Sequence, residues 1–229
     1  NTLNGYTTGN VDATTAESFT GTISDLNTLY AAAASSGDGI KGLGSEAVTV
    51  TDSSVSASDL NTLNTSTDYN ITVNATAISG SLSDVSTLYD NKAADSDADT
   101  DGFTGLGNEA ITLTDTGSIA ADTLLTVAQA NSSGTVDASN AGTITGTAEQ
   151  IIDAYDDSTI TEASDVALTV NTANSGTATL TQARSLDGLT TGVVTATIAA
   201  TELSDLLDDS TPLLDANGNN AFTITIGSG

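Results

Sequence analysis

Short stretches in which apolar and polar residues alternate recur along the chain. The clearest are AVTVTD, beginning at Ala47, and AITLTD, beginning at Ala110. Weaker copies are VALTVNT, around Leu168, and AFTITI, around Phe222. Alternation with a period of two, together with enrichment in Val, Ile and Thr, predicts β-strands that bury one face.

A second pattern, with apolar residues three or four positions apart, follows predicted strands. It occurs in SDLNTLY (Leu26 and Leu29), SDVSTLY (Val85 and Leu88) and AEQIIDAY (Ile151 and Tyr155). Ser, Thr and Asp residues lie at the start of these segments, as is common at helix N-termini. The spacing predicts short capped helices, each with a single apolar stripe.

The two patterns together form an internal repeat. Residues 39–53 and 102–116 are identical at nine of fifteen positions. A second series of related segments begins at Val11, Ile71, Val136 and Val194. These starts indicate a repeat of about 60 residues that contains two similar halves of about 30 residues each. We predict a single array over residues 1–229, with a partial repeat at 1–10, repeats at roughly 11–70, 71–135 and 136–193, and a terminal unit at 194–229.

The half repeat is too small to bury its own apolar faces. One strand and one short helix in about 30 residues need neighbours, and stacked copies supply them. The sequence therefore predicts an α/β solenoid, with a parallel sheet on one side and short helices or turns on the other. Tandem β-sandwich domains are the alternative, because their strands recur every 8–12 residues. The Leu-x-x-Leu and Leu-x-x-Tyr stripes favour the solenoid.

The two ends of the sequence match complementary parts of the repeat. Residues 1–11 resemble residues 61–71, which follow a strand pattern, whereas the last strand pattern has no helix pattern after it. Two interpretations are open: a stretch of a longer array, or a subunit that joins head to tail through strand edges. The residues predicted to join in the second case are Asn1, Leu3, Phe222, Ile224 and Ile226.

Composition restricts the chemistry of the chain. It has 30 Asp and Glu residues but three Lys and Arg, a net charge of −27, and no Cys, His, Met or Trp. Disulfides, thiolate or imidazole metal sites and histidine-based catalysis are therefore excluded. Binding to nucleic acid or to anionic lipid is not expected from three cations. Membrane insertion is not expected either, because no run of about 18 apolar residues exists.

An acidic loop at residues 95–102, DSDADTDG, is the strongest chemical motif. Its carboxylates are Asp95, Asp97, Asp99 and Asp101. The DxDxDG core resembles the start of calcium loops of the EF-hand type, in which the glycine permits a sharp turn around the ion. The twelfth position of such a loop is Asn108, however, and the acid Glu109 comes one residue later. We predict a calcium loop outside an EF-hand domain, with Asp95, Asp97, Asp99, Asp101 and Glu109 as its ligands. A solvated acidic loop without an ion is the alternative.

A weaker metal candidate contains Asp215, Asn217 and Asn219, whose side-chain oxygens have a similar spacing. Asn and Gly clusters are also ordinary turn sequences, and a turn is the favoured interpretation. Catalytic residues are not predicted. Acidic residues recur at equivalent helix starts, where the helix dipole favours them, and no acid stands out from the repeat.

Two longer segments, ITGTAEQIIDAYDDSTIT and ALTVNTANSGTATLTQARSLDGLTTGVV, carry a family resemblance. They resemble the acidic Ala/Thr/Asp-rich repeats of giant surface and extracellular proteins of cyanobacteria, especially marine ones. The resemblance covers most of the chain in composition and repeat, and it implies an extracellular or cell-surface fibrous role, often with calcium. A similar repeat in a phage tail fibre is the other possibility.

We therefore expect a non-enzymatic structural repeat protein located outside the cell. It would be a subunit or segment of an extracellular fibre that assembles head to tail, as a homopolymer or with neighbouring repeats of a longer chain, and that calcium stiffens. The main alternative is an adhesin-type binding module within a giant cell-surface protein. A third interpretation is a carbohydrate-active enzyme with a solenoid fold. It would require a cleft lined by carboxylates that do not follow the repeat.

Overall fold

The computed structural model describes residues 9–33, 39–92, 102–171, 176–201 and 220–226. In these segments helices and parallel strands alternate along the chain. The chain divides into two compact units. Unit 1 comprises Asn1–Thr112 with Ala130–Gly134, and unit 2 comprises Leu113–Gln129 with Thr135–Gly229.

Six short helices occur in the described segments. They are α1 (Ile23–Ala31), α2 (Ala57–Asn64), α3 (Leu82–Asp90), α4 (Ala121–Ala130), α5 (Ala148–Asp156) and α6 (Leu180–Leu189). Several begin at a capping hydroxyl, as the sequence predicts. Thr22 accepts a hydrogen bond from the backbone N–H of Asp25, and Thr147 forms a reciprocal capping box with Gln150. These caps satisfy N–H groups that have no partner within the helix, which stabilises elements of only two to three turns.

The strands are β1 (Val11–Asp12), β2 (Ser18–Gly21), β3 (Ile40–Lys41), β4 (Ala47–Val50), β5 (Ser54–Ser56), β6 (Ile71–Val73), β7 (Ala77–Gly80), β8 (Phe103–Thr104), β9 (Ala110–Leu113), β10 (Ser118–Ala120), β11 (Thr135–Asp137), β12 (Thr143–Gly146), β13 (Ile160–Thr161), β14 (Ala167–Val170), β15 (Thr177–Ala178), β16 (Val194–Thr201) and β17 (Ala221–Ile226). The four alternating segments are β4, β9, β14 and β17, so these strands are confirmed.

The prediction of one strand in each half repeat is an underestimate. A second short strand immediately precedes α2, and others precede α4 and α6. These strands, β5, β10 and β15, each contain a single buried apolar residue, respectively Val55, Ile119 and Ala178. Because one buried residue produces no alternation, the sequence pattern does not distinguish these strands from turns.

In unit 1, strands β2, β4, β6 and β8 form a parallel sheet in that order. Two columns of residues run across it in register. The first is Phe19, Val48, Ile71 and Phe103, and the second is Thr20, Thr49, Thr72 and Thr104. The strand pairs β1–β3 and β5–β7 are also parallel, and α1, α2 and α3 pack in succession.

The first column faces the core of unit 1. Val48, Ile71 and Phe103 are 1%, 0% and 0% exposed, whereas the adjacent threonines are exposed or half-buried. This alternation places apolar side chains inside and hydroxyls outside. Phe19, at the end of the column, is half-buried.

Asparagine side chains link successive helices of unit 1. Asn27 of α1 donates a hydrogen bond to the carbonyl of Asp59 in α2 at 3.1 Å. Asn61 of α2 donates in the same way to the carbonyl of Asp84 in α3 at 2.9 Å. The helices, like the strands, are therefore connected by a contact that recurs with the repeat.

In unit 2, strands β10, β12, β14 and β16 form a parallel sheet, and both β15 and β17 pair with β16. Ile144, Leu168 and Val194 are consecutive register partners, and each is 0% exposed. The pair β11–β13 is parallel, and α5 packs against α6. Unit 2 is thus built like unit 1, with an apolar column on the inner side of its sheet.

The α/β class with parallel sheets is confirmed. Parallel strands that alternate with helices do not fit the antiparallel sheets of a β-sandwich. Register partners in the sheets, such as Val48 with Ile71 and Leu168 with Val194, are separated by roughly the length of the predicted half repeat. The continuation of the half repeats into one solenoid, and the repeat boundaries, stay predictions.

Candidate functional sites

Glu109 lies in the loop before β9 and is 0% exposed. Its Oε2 atom accepts a hydrogen bond from the Tyr89 hydroxyl at 2.6 Å. The same oxygen accepts bonds from the backbone N–H groups of Gly107, at 2.9 Å, and Asn108, at 3.1 Å. These donors satisfy a buried carboxyl group that would otherwise strongly destabilise the fold.

Asn131 completes this buried cluster from the end of α4. Its Nδ2 atom donates to the carbonyl of Glu109 at 2.9 Å, and its Oδ1 atom accepts from the backbone N–H of Glu109 at 3.1 Å. The Tyr89 hydroxyl lies 2.9 Å from the same Oδ1 atom. Burial raises the pKa of Tyr89, and the hydrogen bond to Glu109 raises it further, so the hydroxyl remains a donor throughout the physiological pH range.

A matching cluster lies one repeat earlier. The Tyr30 hydroxyl is 3.3 Å from Oε2 of Glu46, and the N–H of Gly44 donates to the same oxygen at 2.8 Å. Thr67 donates to the carbonyl of Gly44 at 3.3 Å, as Ser132 does to the carbonyl of Gly107 at 3.2 Å. Burial raises the pKa of Tyr30 to about 12, and the charge of Glu46 adds to this. The loops GLGSEA and GLGNEA therefore each contain a glutamate at the equivalent position, Glu46 and Glu109, and each glutamate makes the equivalent contact with a tyrosine.

A related pair in unit 2 lacks these hydrogen bonds. Among the described residues, the Tyr155 hydroxyl and Oε1 of Glu162 are both buried and have no hydrogen-bond partner. Burial raises the pKa of Glu162 to about 7; a backbone hydrogen bond opposes this and the charge of Asp157 adds to it. Glu109 immediately precedes β9, whereas Glu162 lies further ahead of β14, so it does not occupy the equivalent loop position.

The buried tyrosine–glutamate clusters hold the fold together. In unit 1, each ties the end of a helix to the loop before a strand. Because the carboxyl groups of Glu46 and Glu109 are buried and engaged by nearby donors, they are poorly placed to act on a substrate in solution. Sequence reasoning missed these clusters. The available signal was a glutamate that recurs after Gly-Leu-Gly and a tyrosine that recurs at the end of the helix pattern.

Most of the predicted metal ligands lie outside the described residues. These are Asp95, Asp97, Asp99 and Asp101 of the acidic loop, and Asp215, Asn217 and Asn219 of the weaker candidate. Glu109 is described, and its carboxylate belongs to the Tyr89 cluster; a role for it in binding calcium stays a prediction. Within the described segments, no three carboxylates are close enough together to form a metal site.

The residues that flank the acidic loop are held close together. The N–H of Phe103 donates to the carbonyl of Asn91 at 3.0 Å, and Lys92 forms a parallel bridge with Phe103. Phe103 is fully buried in the core of unit 1. The described residues on either side of the acidic segment, Lys92 and Phe103, therefore lie next to each other.

Of the residues predicted to join copies, Asn1 and Leu3 lie outside the described segments. Phe222 and Ile224 lie on β17, are half-buried, and pair with Ala196 and Ile198 of β16. Ile226 pairs with Thr201 after a shift in register. In the described part of unit 2, β17 pairs with β16 alone and its other edge is open.

An open groove of about 370 Å³ lies on unit 2 over strands β14, β16 and β17. Its polar lining consists of Thr169, Asn171, Thr195, Thr197 and Thr223. Among the described residues, no charged or aromatic side chain contributes to this lining. The groove therefore offers hydroxyl and amide groups suited to hydrogen bonding with a polar ligand.

Comparisons with known proteins do not assign the chain to a family. No protein-family model, no curated protein and no solved structure matches it. None of the helices in the described segments is long and apolar enough to cross a membrane.

Proposed function

We propose that the chain is a non-enzymatic structural repeat protein that forms part of an extracellular fibre. In this proposal, the half repeats stack as one solenoid, and copies of the chain join head to tail. The observation that carries it is the parallel pairing of equivalent strands within each unit, at offsets close to one half repeat. Each further half repeat would extend the same hydrogen bonds and the same apolar column, so such a stack has no inherent end.

The side chains support a mechanical role. Apolar β-branched residues and threonines alternate on the strands, and asparagines join successive helices. In unit 1, the buried carboxyl groups of Glu46 and Glu109 accept hydrogen bonds from backbone N–H groups of their own loops. These contacts link successive elements of the repeat, which would stiffen the chain against bending.

Calcium binding at the acidic loop is the second part of the proposal. The hydrogen bond between Phe103 and Asn91 supports it, because it brings together the described residues on either side of a segment whose sequence contains four aspartates. Several carboxylates on one loop provide the oxygen ligands that calcium prefers. Bound calcium would also reduce the repulsion between copies that each carry a net charge of −27.

An extracellular location is part of the same proposal. It rests on the acidic composition and on the resemblance of the repeats to those of giant cyanobacterial surface proteins. Such a setting supplies the salt and divalent ions that a strongly acidic fibre needs in order to assemble.

Negative-stain electron microscopy of the purified chain tests the proposed function. The protein would be imaged in millimolar calcium and again after addition of a chelator. We expect filaments in calcium and their shortening or loss in chelator. Separate, uniform particles in both conditions would overturn self-assembly, and filaments unaffected by chelator would overturn the role of calcium.

The groove on unit 2 supports a second candidate, an adhesin-type binding module. Its hydroxyl and amide lining is suited to a sugar or another polar surface. Binding to a glycan array that is lost in Thr195→Val but kept in Thr20→Val, outside the groove, would favour this function. No binding to any glycan would remove glycan recognition as a role for the groove.

A further inference from the structure

We propose that strand β17 of one copy pairs in parallel with strand β2 of a second copy of this chain. In this pairing, Phe222 lies opposite Phe19 and Thr223 lies opposite Thr20. The inference rests on the proposed function and specifies the surfaces, direction and register by which copies join.

Among the described residues, strand β2 has one edge without a partner strand. It is the terminal strand of its sheet in the described part of unit 1, where it pairs on one side with β4. Phe19 ends the apolar column of that sheet and is half-buried, whereas the next two members, Val48 and Ile71, are 1% and 0% exposed. A further strand beside β2 would bury Phe19 as its neighbours are buried.

Strand β17 offers the complementary edge. It pairs on one side with β16, and its inward-facing Phe222 and Ile224 are half-buried. Their register partners on β16, Ala196 and Ile198, are 4% and 0% exposed. The apolar column of unit 2 is therefore also incomplete at its last described strand.

Both strands permit close approach between acidic chains. Neither SFTG of β2 nor AFTITI of β17 contains a charged residue or a proline. Charges and prolines are the usual means by which proteins prevent edge strands from pairing with other copies. Neither edge contains a charged residue or a proline, although the chain has 30 acidic residues.

The existing contact between β2 and β4 predicts the register. On that side, Ala-Val-Thr-Val of β4 pairs with Ser-Phe-Thr-Gly of β2. Ala-Phe-Thr-Ile of β17 has the same order of small, apolar, threonine and apolar residues. Placing Phe222 opposite Phe19 continues the apolar column, and placing Thr223 opposite Thr20 continues the threonine column. A slip by one residue would place Phe222 on the outer face.

The absence of cysteine from the chain allows a direct test by disulfide cross-linking. Thr20→Cys and Thr223→Cys variants would be mixed in equal amounts under filament-forming conditions and oxidised. Their Cα atoms would lie about 4.8 Å apart across parallel strands, within the range of about 4.4–6.8 Å that a disulfide spans. The control mixture uses Ser18→Cys with Thr223→Cys, which are two residues out of register and about 8 Å apart. All three positions are exposed.

We expect a dimer band at twice the chain mass of 22.7 kDa in the first mixture, at least several-fold stronger than in the control. Equal bands in both mixtures, or a stronger band in the control, would overturn the register. If the wild-type chain forms filaments but neither mixture cross-links, this pairing is wrong and the proposed function stands. If the wild-type chain also forms no filaments, the proposed function fails with it.

Discussion

The hydroxyl of Tyr89 donates a hydrogen bond of 2.6 Å to Glu109, and neither side chain is exposed by more than 7%. The contact joins the end of α3 to the loop before β9, and Tyr30 and Glu46 make the corresponding contact one repeat earlier. The same buried polar contact thus closes two successive repeats of unit 1. Four predictions concern these clusters, their counterpart in unit 2, and the acidic loop.

Removal of the Tyr89 hydroxyl should destabilise the protein. In Tyr89→Phe, the buried carboxyl group of Glu109 loses a donor, and we expect a loss of about 2 kcal/mol in the free energy of unfolding. Urea denaturation followed by circular dichroism measures this loss. Tyr69→Phe is the control, because the Tyr69 hydroxyl makes no hydrogen bond to the described residues, and it should change stability by less than about 0.5 kcal/mol. Equal effects of the two variants would contradict the role assigned to the cluster.

Gly134 should not tolerate a side chain. A Cβ atom at this position would overlap the carbonyl oxygen of Glu109 and the side-chain amide of Asn131. Gly134→Ala should therefore lower stability by about 1–3 kcal/mol. Gly117→Ala is the matched control, because a Cβ there meets no atom within 4 Å, and it should be neutral or slightly stabilising. Thermal denaturation of both variants measures these effects. A melting temperature of Gly134→Ala equal to that of the wild type would contradict the predicted overlap.

Glu162 should make stability depend on pH. Its pKa is raised from 4.5 to about 7 by burial, so the folded chain holds this proton more tightly than the unfolded chain does. The stability associated with Glu162 is thus fully present below about pH 4.5 and is lost as the pH rises to about 7. Glu162→Gln stays neutral, and its stability relative to the wild type should increase across this interval and then level off.

Urea midpoints between pH 4 and pH 8.5 measure this difference for Glu162→Gln. Glu149→Gln, at an exposed position of α5, is the control and should not reproduce the trend. The Tyr155 hydroxyl and the Asp157 carboxylate interact with Glu162, so both residues are kept unchanged in the comparison. A difference that is flat with pH would show that Glu162 does not titrate as described.

The acidic loop should account for any stabilisation by calcium. In Asp97→Asn/Asp99→Asn/Asp101→Asn, three predicted ligands become neutral amides, and the rise in melting temperature on addition of calcium should be lost. For the wild type, calcium at 100 times its dissociation constant would add about 2.7 kcal/mol of stability. The control, Glu149→Gln/Asp153→Asn/Asp156→Asn, removes three exposed charges from α5 and should keep the response. Loss of the response in both variants would point to general screening of charge.

Much of the local structure could be predicted from the sequence. AVTVTD and AITLTD contain strands β4 and β9, and SDLNTLY and SDVSTLY largely coincide with α1 and α3. These elements are visible because alternation and i, i+3 spacing are local properties of the chain. The short strands before the helices were missed because Ser, Ala and one apolar residue also suit a turn.

The contacts of the buried glutamates were not predictable in the same way. Glu109 meets Tyr89 from an earlier helix and Asn131 from the end of a later one. No local pattern encodes a contact over such separations; it follows from how successive strands and helices pack. The sequence placed Glu109 near an acidic loop and so suggested calcium, whereas its closest partners are the Tyr89 hydroxyl and two backbone N–H groups.

The central claim is that copies join so that their parallel strands stack along a fibre. X-ray fibre diffraction from aligned filaments tests it most directly. Strands that stack along the axis should give a reflection at about 4.8 Å on the meridian, the spacing of neighbouring strands in a sheet. The same reflection on the equator would mean that the strands run along the fibre and would contradict the claim. A preparation that forms no filaments to align would contradict it as well.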